Sequence, residues 1–88
     1  MPTRKPDSAR EAYNRALAHR LADKSKYPTP LDVASELVRE AKLDGLDGTI
    51  IFGPTTGLVE SVRFSTGEAA NYDATRDSWD WSSSGKSA

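Results

Sequence analysis

The chain has no cysteine and only one histidine among its 88 residues. Without cysteine, disulfide bonds, thiolate metal sites and a cysteine nucleophile are all excluded. No apolar run approaches the roughly 20 residues that a membrane-spanning helix needs. The basic start MPTRKPDSAR is not followed by the apolar segment of a secretory signal. We therefore expect a cytoplasmic protein with no membrane partner, stabilised by packing alone.

The composition indicates one small globular domain. The residues are 36% apolar and 28% charged, which is typical of a folded chain, and the length leaves no room for a second core. We expect a flexible basic arm at residues 1–7, a single domain at 8–81 and a disordered polar tail at 82–88. A single domain that begins at Met1 favours a stand-alone accessory protein, such as those encoded by phages and mobile elements.

The first periodic segment predicts a helix from about Ser8 to Asp23. Ser8 and Glu11 have the spacing of a capping box, in which two side chains bind backbone N–H groups at the helix start. The larger apolar side chains recur every four residues and are Tyr13, Leu17 and Leu21. We expect Arg15 on the outer face beside Glu11, and a solvated His19.

A second helix should follow the segment KSKYPTP, because residues before proline are disfavoured in the helical region. Thr29 is expected to cap this helix, with Pro30 at its first position, where no N–H is needed. Its predicted apolar face consists of Leu31, Val33, Ala34, Leu37, Val38 and Ala41. The opposite face, expected in solvent, carries Asp32, Ser35, Glu36, Arg39, Glu40 and Lys42.

After residue 48 the apolar period changes from helical to two, which predicts short strands. These strands are expected at 49–52, 58–64, 68–72 and 78–81, separated by the turn sequences GPTTG, STG and DATRD. Short connections of this kind join antiparallel neighbours. The expected fold class is α+β, with two N-terminal helices packed on a three- to four-stranded antiparallel meander, in the order ααββββ.

Alternation along the strands predicts that one face of the sheet packs in the core and that no other element covers the opposite face. The face toward the helices should carry Ile50, Phe52, Val62, Phe64, Tyr72, Trp79 and Trp81. The opposite face should carry Ile51, Val59 and Arg63, which are candidate protein-binding residues because nothing else in the chain is left to cover them. The alternative is a mixed face that is simply solvated.

The two tryptophans, Trp79 and Trp81, allow two interpretations. As the last core strand they would supply much of the apolar area that so small a domain needs. As an exposed aromatic surface they would be protein-binding anchors at the C-terminal end.

Catalytic machinery and cofactor sites are not predicted. His19 has no partner in the sequence that marks it as a general base. Asp44 and Asp47 lack the further ligands of a calcium loop, so no metal site is expected. The loop GPTTG lacks the lysine and following helix of a phosphate-binding loop.

The charge is uneven: residues 1–26 carry seven basic side chains against three acidic ones, while residues 46–88 carry three against six. This favours two hypotheses. The first is a non-catalytic protein-binding module, a regulator, inhibitor or assembly factor that binds a protein partner or itself. The second is a nucleic-acid-binding accessory protein that uses Arg4, Lys5 and Arg10. An enzyme comes third.

Overall fold

Two helices are followed by four strands, which confirms the predicted ααββββ order. The computed structural model describes residues 8–82, so the arm at 1–7 and the tail at 83–88 lie outside the described residues. The elements are α1 (Arg10–Ala22), α2 (Pro30–Leu43), β1 (Gly48–Phe52), β2 (Val59–Phe64), β3 (Ala69–Asp73) and β4 (Ser78–Ser82), with a 3-10 turn at Lys24–Lys26. Within this part of the chain, neither helix is long and apolar enough to cross a membrane.

Helix α2 begins as the sequence predicts. The Thr29 side chain accepts a hydrogen bond from the Asp32 backbone N–H, and the Asp32 carboxylate accepts one from the Thr29 N–H, which forms a capping box. The buried face of α2 includes Val33, Ala34 and Leu37. Both the cap and the apolar face come from residues within the helix segment itself, so α2 is specified locally.

The capping box predicted for α1 is wrong. The cap residue is Ala9, which has no side-chain cap, and Glu11 is exposed. Glu68, in the turn between β2 and β3, accepts hydrogen bonds from Ser8 Oγ and from the Ala9 N–H, each 2.7 Å long. A carboxylate is favourable there because the helix N-terminus carries partial positive charge. Helix α1 is therefore capped mainly by the β2–β3 turn, while the Arg10 N–H donates one local hydrogen bond to Ser8 Oγ at 3.0 Å.

The sheet is antiparallel in the order β1-β2-β3-β4. Side chains directly opposite one another share a face, so the pairing defines an inner row of Ile50, Val62, Ala70 and Trp81. Helix α2 packs over β1 and β2, and Tyr13 of α1 contacts Trp81 of β4. The core lies between the two helices and this face of the sheet.

A bulge interrupts the pairing of β1 with β2. Ile51 pairs with Ser61 and Phe52 pairs with Val59, so Glu60 is an extra residue without a partner on β1. An extra residue reverses the alternation beyond it. Val59 is consequently buried in the core, and its predicted place on the opposite face is wrong.

Helix α1 departs furthest from its predicted surface. Its buried residues are small except for one tyrosine: Ala12, Tyr13 and Ala16. Leu21, predicted in the apolar stripe, is exposed. The alanines allow α1 to lie close against α2, and this contact buries Glu36 and Glu40, which the sequence pattern placed in solvent.

Candidate functional site

The sheet surface opposite the helices, which we call the outer sheet face, is mainly small and polar. By the strand register it carries Thr49, Ile51, Ser61, Arg63, Ala69, Asn71, Asp80 and Ser82. Of the predicted protein-binding residues, Ile51 is half-buried and Arg63 is exposed on this face. Such a surface can be solvated at little cost, and its one large aliphatic side chain gives a partner little to bury.

Trp79 and Trp81 belong to the core. Trp79 is buried beside the ring of Tyr72, with a centroid distance of 5.1 Å, and its carbonyl oxygen accepts a hydrogen bond from the Tyr13 hydroxyl. Trp81 is half-buried against Tyr13 and Phe64, with centroid distances of 4.9 and 5.8 Å. Burial raises the pKa of Tyr13, with the charge of Asp80 acting in the same direction. The tryptophans therefore join the last strand to α1.

A groove with a mainly apolar lining lies at the loop end of the β1–β2 hairpin. Of the described residues, nine line this groove and none of them is charged. Its volume is about 440 Å³. The large side chains that line it are Pro30, Leu31, Phe52, Leu58, Val59 and Tyr72. We call this feature the apolar groove.

Three of these side chains are unusually exposed for their type. Leu31 is 45% exposed, Phe52 is 48% exposed and Leu58 is 66% exposed. Single exposed apolar residues are common, but a contiguous group around a concavity is characteristic of interaction sites. The group is therefore the most marked apolar surface feature of this end of the sheet.

The loop that presents Leu58 is held by its own hydrogen bonds. The Gly53 N–H donates to the Leu58 carbonyl at 2.8 Å, and the Leu58 N–H donates to Thr56 Oγ1 at 3.2 Å. Gly57 has a φ of 71°, a conformation that favours glycine. On the opposite wall, the Tyr72 hydroxyl donates to Asp77 at 2.6 Å, a bond that raises the pKa of Tyr72. Hydrogen bonds thus hold both the loop and the opposite wall of the groove.

The sequence pattern predicts that Leu31 and Phe52 lie in the core. It therefore does not predict the groove. Both residues do lie on the side of their element that alternation or helical period predicts. However, Leu31 is in the first turn of α2 and Phe52 ends β1, where the opposing layer no longer covers them. A signal was available: Leu58 follows directly on GPTTG, and turns seldom carry large aliphatic residues.

A second cluster joins the two helices. His19 Nδ1 lies 2.7 Å from Glu36 Oε2 and 3.8 Å from Glu40 Oε2. Glu36 is 6% exposed and Glu40 is 5% exposed, whereas the His19 side chain is 47% exposed. The solvated histidine expected from the sequence is therefore half-exposed and bound to a buried carboxylate. We call these three residues the histidine–carboxylate cluster.

Arg15 holds the neighbouring carboxylates. Its Nε donates to Glu40 Oε1 at 2.7 Å and its Nη2 contacts Asp44 Oδ1 at 3.1 Å, and the Glu40 bond raises the pKa of Arg15. The predicted pairing of Arg15 with Glu11 on an outer face is wrong, because Arg15 faces α2. Partial burial, together with the charge of Glu36, raises the pKa of the nearby Tyr27. The sequence spacing of Glu36 and Glu40, one helical turn apart, was the only sign of this cluster.

The basic residues do not form one surface in the described part of the chain. Arg15 and Arg20 are bound to acidic side chains, Arg20 through Asp77 at 3.3 Å. Arg10 is exposed, with its guanidinium 5.7 Å from the ring centroid of Trp81. The other two predicted nucleic-acid contacts, Arg4 and Lys5, lie outside the described residues.

Comparison of the chain with models of known families, with curated proteins and with solved structures found no match. We therefore infer the function from the surface features of the domain itself.

Proposed function

We propose that this domain is a non-catalytic protein-binding module of the cytoplasm, acting as a regulator, inhibitor or assembly factor. The single observation that carries the proposal is the apolar groove, with Leu31, Phe52 and Leu58 exposed around it. Burying three such side chains against a partner contributes about 25 cal/mol for each Å² removed from water. Leaving them in water serves no purpose in the stability of the domain.

The occupant we propose is a short segment of a partner protein that inserts one or two large apolar side chains. The groove has no charged lining among the described residues, so it favours an uncharged anchor. Its nine lining residues fall well short of the 20–30 residues that each side of a standard interface contributes. A second copy of the chain, docked on this surface alone, would therefore form only a weak dimer.

The outer sheet face, with Ile51 and Arg63, is a less suitable docking surface because it is small and polar. The experiment described below also tests the outer sheet face, because the sequence pattern favours it. Nucleic-acid binding is the second candidate function, supported by the exposed Arg10 next to the basic arm. It is weakened by the ion pairs that already occupy Arg15 and Arg20.

The test is a selection of random peptides on the immobilised full chain, followed by NMR titration of the labelled protein with a selected peptide. We expect selected peptides with two large apolar residues, and shift changes centred on Leu31, Phe52 and Leu58. Leu58→Ser should abolish binding and leave the melting temperature within a few degrees, because the position is exposed. Leu43→Ser is the matched control, since Leu43 is 72% exposed but lies at the other end of α2.

Other outcomes assign the function differently. Shift changes centred on Ile51 and Arg63, abolished by Arg63→Glu, would replace the apolar groove with the outer sheet face. Concentration-dependent sedimentation that Leu58→Ser removes would make the occupant a second copy. Binding of a random-sequence oligonucleotide that weakens steeply with salt would favour the second candidate function.

A further inference from the structure

The histidine–carboxylate cluster has the donor set of a zinc site, and it is separate from the apolar groove. An imidazole nitrogen and carboxylate oxygens are common ligands of Zn²⁺, which binds them at about 2.0–2.2 Å. The donor atoms of His19, Glu36 and Glu40 all lie within 4.8 Å of one another. We propose that this cluster binds one divalent transition-metal ion, with Zn²⁺ as the best match.

The distances between the donors support this assignment. Two ligands of a tetrahedral zinc ion lie about 3.3 Å apart, given bonds of about 2.0–2.1 Å. His19 Nδ1 is 2.7 Å from Glu36 Oε2 and 3.8 Å from Glu40 Oε2, on either side of that value. Shifts of about half an ångström in side chains would therefore open the first contact and close the second around an ion.

The carboxylates are held in place for this role. Glu40 uses Oε1 to bind Arg15, which leaves Oε2 directed toward the cluster. Among the described residues, the side-chain atoms buried without a hydrogen-bond partner are Arg20 Nε and Trp79 Nε1, so Glu40 Oε2 is open to the cavity that Glu40 lines. The nearest cationic group to this oxygen is His19 Nδ1, at 3.8 Å, and an ion that enters the cavity can coordinate the oxygen in place of water.

The local charge also favours a cation. Arg15 is shared between Glu40 and Asp44, so one guanidinium serves two carboxylates. Glu36 has His19 at 2.7 Å, while its other cationic contact, Arg39, is 3.7 Å away on a side chain that is 74% exposed. A metal ion would replace the imidazole hydrogen bond and the loose Arg39 contact, and would complete the charge balance.

An ion can reach the cluster from solvent. The three side chains line a cavity of about 330 Å³, which Asp23, Lys26, Tyr27 and Arg39 also line. Three protein ligands leave at least one coordination position for water, which is the arrangement of open zinc sites. We expect this position to be solvent-accessible through the exposed side of His19.

The test uses the full chain, stripped of metal with a chelator and then titrated with ZnCl₂ by isothermal calorimetry near neutral pH. We expect one ion per chain and a rise in melting temperature at excess zinc, because the ion binds the folded state. His19→Gln should lower the affinity by about tenfold or more. It should preserve the fold, which circular dichroism can verify, because His19 is half-exposed.

A control variant and an NMR measurement test whether zinc binds at the histidine–carboxylate cluster and not elsewhere on the chain. Glu11→Gln removes an exposed carboxylate on α1 and should leave zinc binding unchanged. Because the chain has a single histidine, the imidazole ¹⁵N signals belong to His19 alone, and Nδ1 should shift on zinc addition. Absence of one-to-one binding, or equal affinity of His19→Gln and the unmodified protein, would reduce the cluster to an ion-pair network between the helices.

Discussion

Helices α1 and α2 are nearly equal in length, at 13 and 14 residues, but they are stabilised differently. Helix α2 carries its own capping box and a continuous apolar face. Helix α1 takes a cap from Glu68 in the β2–β3 turn, and its buried side chains are mainly alanine. Polar contacts to α2, through Arg15 and His19, complete its attachment.

The difference teaches how local and tertiary specification divide within one small domain. A helix with its own cap and apolar stripe has most of its determinants inside one segment, so its position can be read from the sequence. A helix that depends on residues 25 or 60 positions away acquires its determinants only once the sheet and the other helix are in place. We infer that α2 with the sheet is the base on which α1 packs.

The largest loss of stability is expected from a substitution on the buried side of α2. Leu37 is completely buried, so Leu37→Ala should lower the free energy of unfolding by about 2–5 kcal/mol, from lost burial and the cavity that remains. Urea denaturation followed by tryptophan fluorescence measures the loss. Leu43→Ala, in the same helix but exposed, should change it by less than about 0.5 kcal/mol. Equal losses from both variants would contradict the described orientation of α2.

An intermediate effect is expected where the two helices meet. Arg15→Ala leaves Glu40 buried without its 2.7 Å partner. The Arg15 side chain is 38% exposed, and solvent screening therefore limits the loss to about 1–3 kcal/mol. Arg39→Ala is the control, because that arginine is largely exposed and 3.7 Å from Glu36. A loss no greater than that of Arg39→Ala would show that α1 is held by apolar contacts alone.

The smallest loss of stability is expected from substitutions of the residues that cap the two helices. These substitutions also compare α1 with α2 most directly. Glu68→Gln and Thr29→Ala should each lower the free energy of unfolding by about 1 kcal/mol at neutral pH. Burial raises the pKa of Glu68, but hydrogen bonds from Thr66, the Ala9 N–H and Ser8 outweigh it, so the pKa in the folded state is below its usual value.

A lowered folded-state pKa means that the ionised Glu68 stabilises the domain above its unfolded pKa of about 4.3. This contribution is lost as the pH falls through the lower folded-state value. The difference in the free energy of unfolding between the unmodified protein and Glu68→Gln should therefore be largest near neutral pH and should shrink below about pH 4. Urea titrations across this range give the measurement, and a pH-independent difference would mean that Glu68 does not act as an ionised cap.

Much of the sheet could be predicted because its signals are local. Each strand lies within one residue of its predicted bounds, since alternation and turn residues such as Gly67, with a φ of 96°, sit beside the strands they define. The inner positions of Val62 and Trp79 follow from alternation alone.

The candidate sites could not be predicted in the same way. Alternation gives the direction of Phe52, but not whether an opposing layer reaches that far along the strand. Helical period gives the face of Glu36, but not that the alanines of α1 bring a second helix against it. These features depend on where elements end and how closely they approach, and no single segment of the sequence contains that information.

The bulge at Glu60 has a consequence for how this surface can change by mutation. Val59 lies opposite Phe52 because Glu60 is left without a partner on β1. Loss of the Glu60 codon would make Val59 directly precede Ser61 and would keep it opposite Phe52, on the inner face. The wall of the apolar groove therefore tolerates the loss of one residue at the bulge, whereas pairing of the unchanged chain without a bulge would turn Val59 to the outer sheet face.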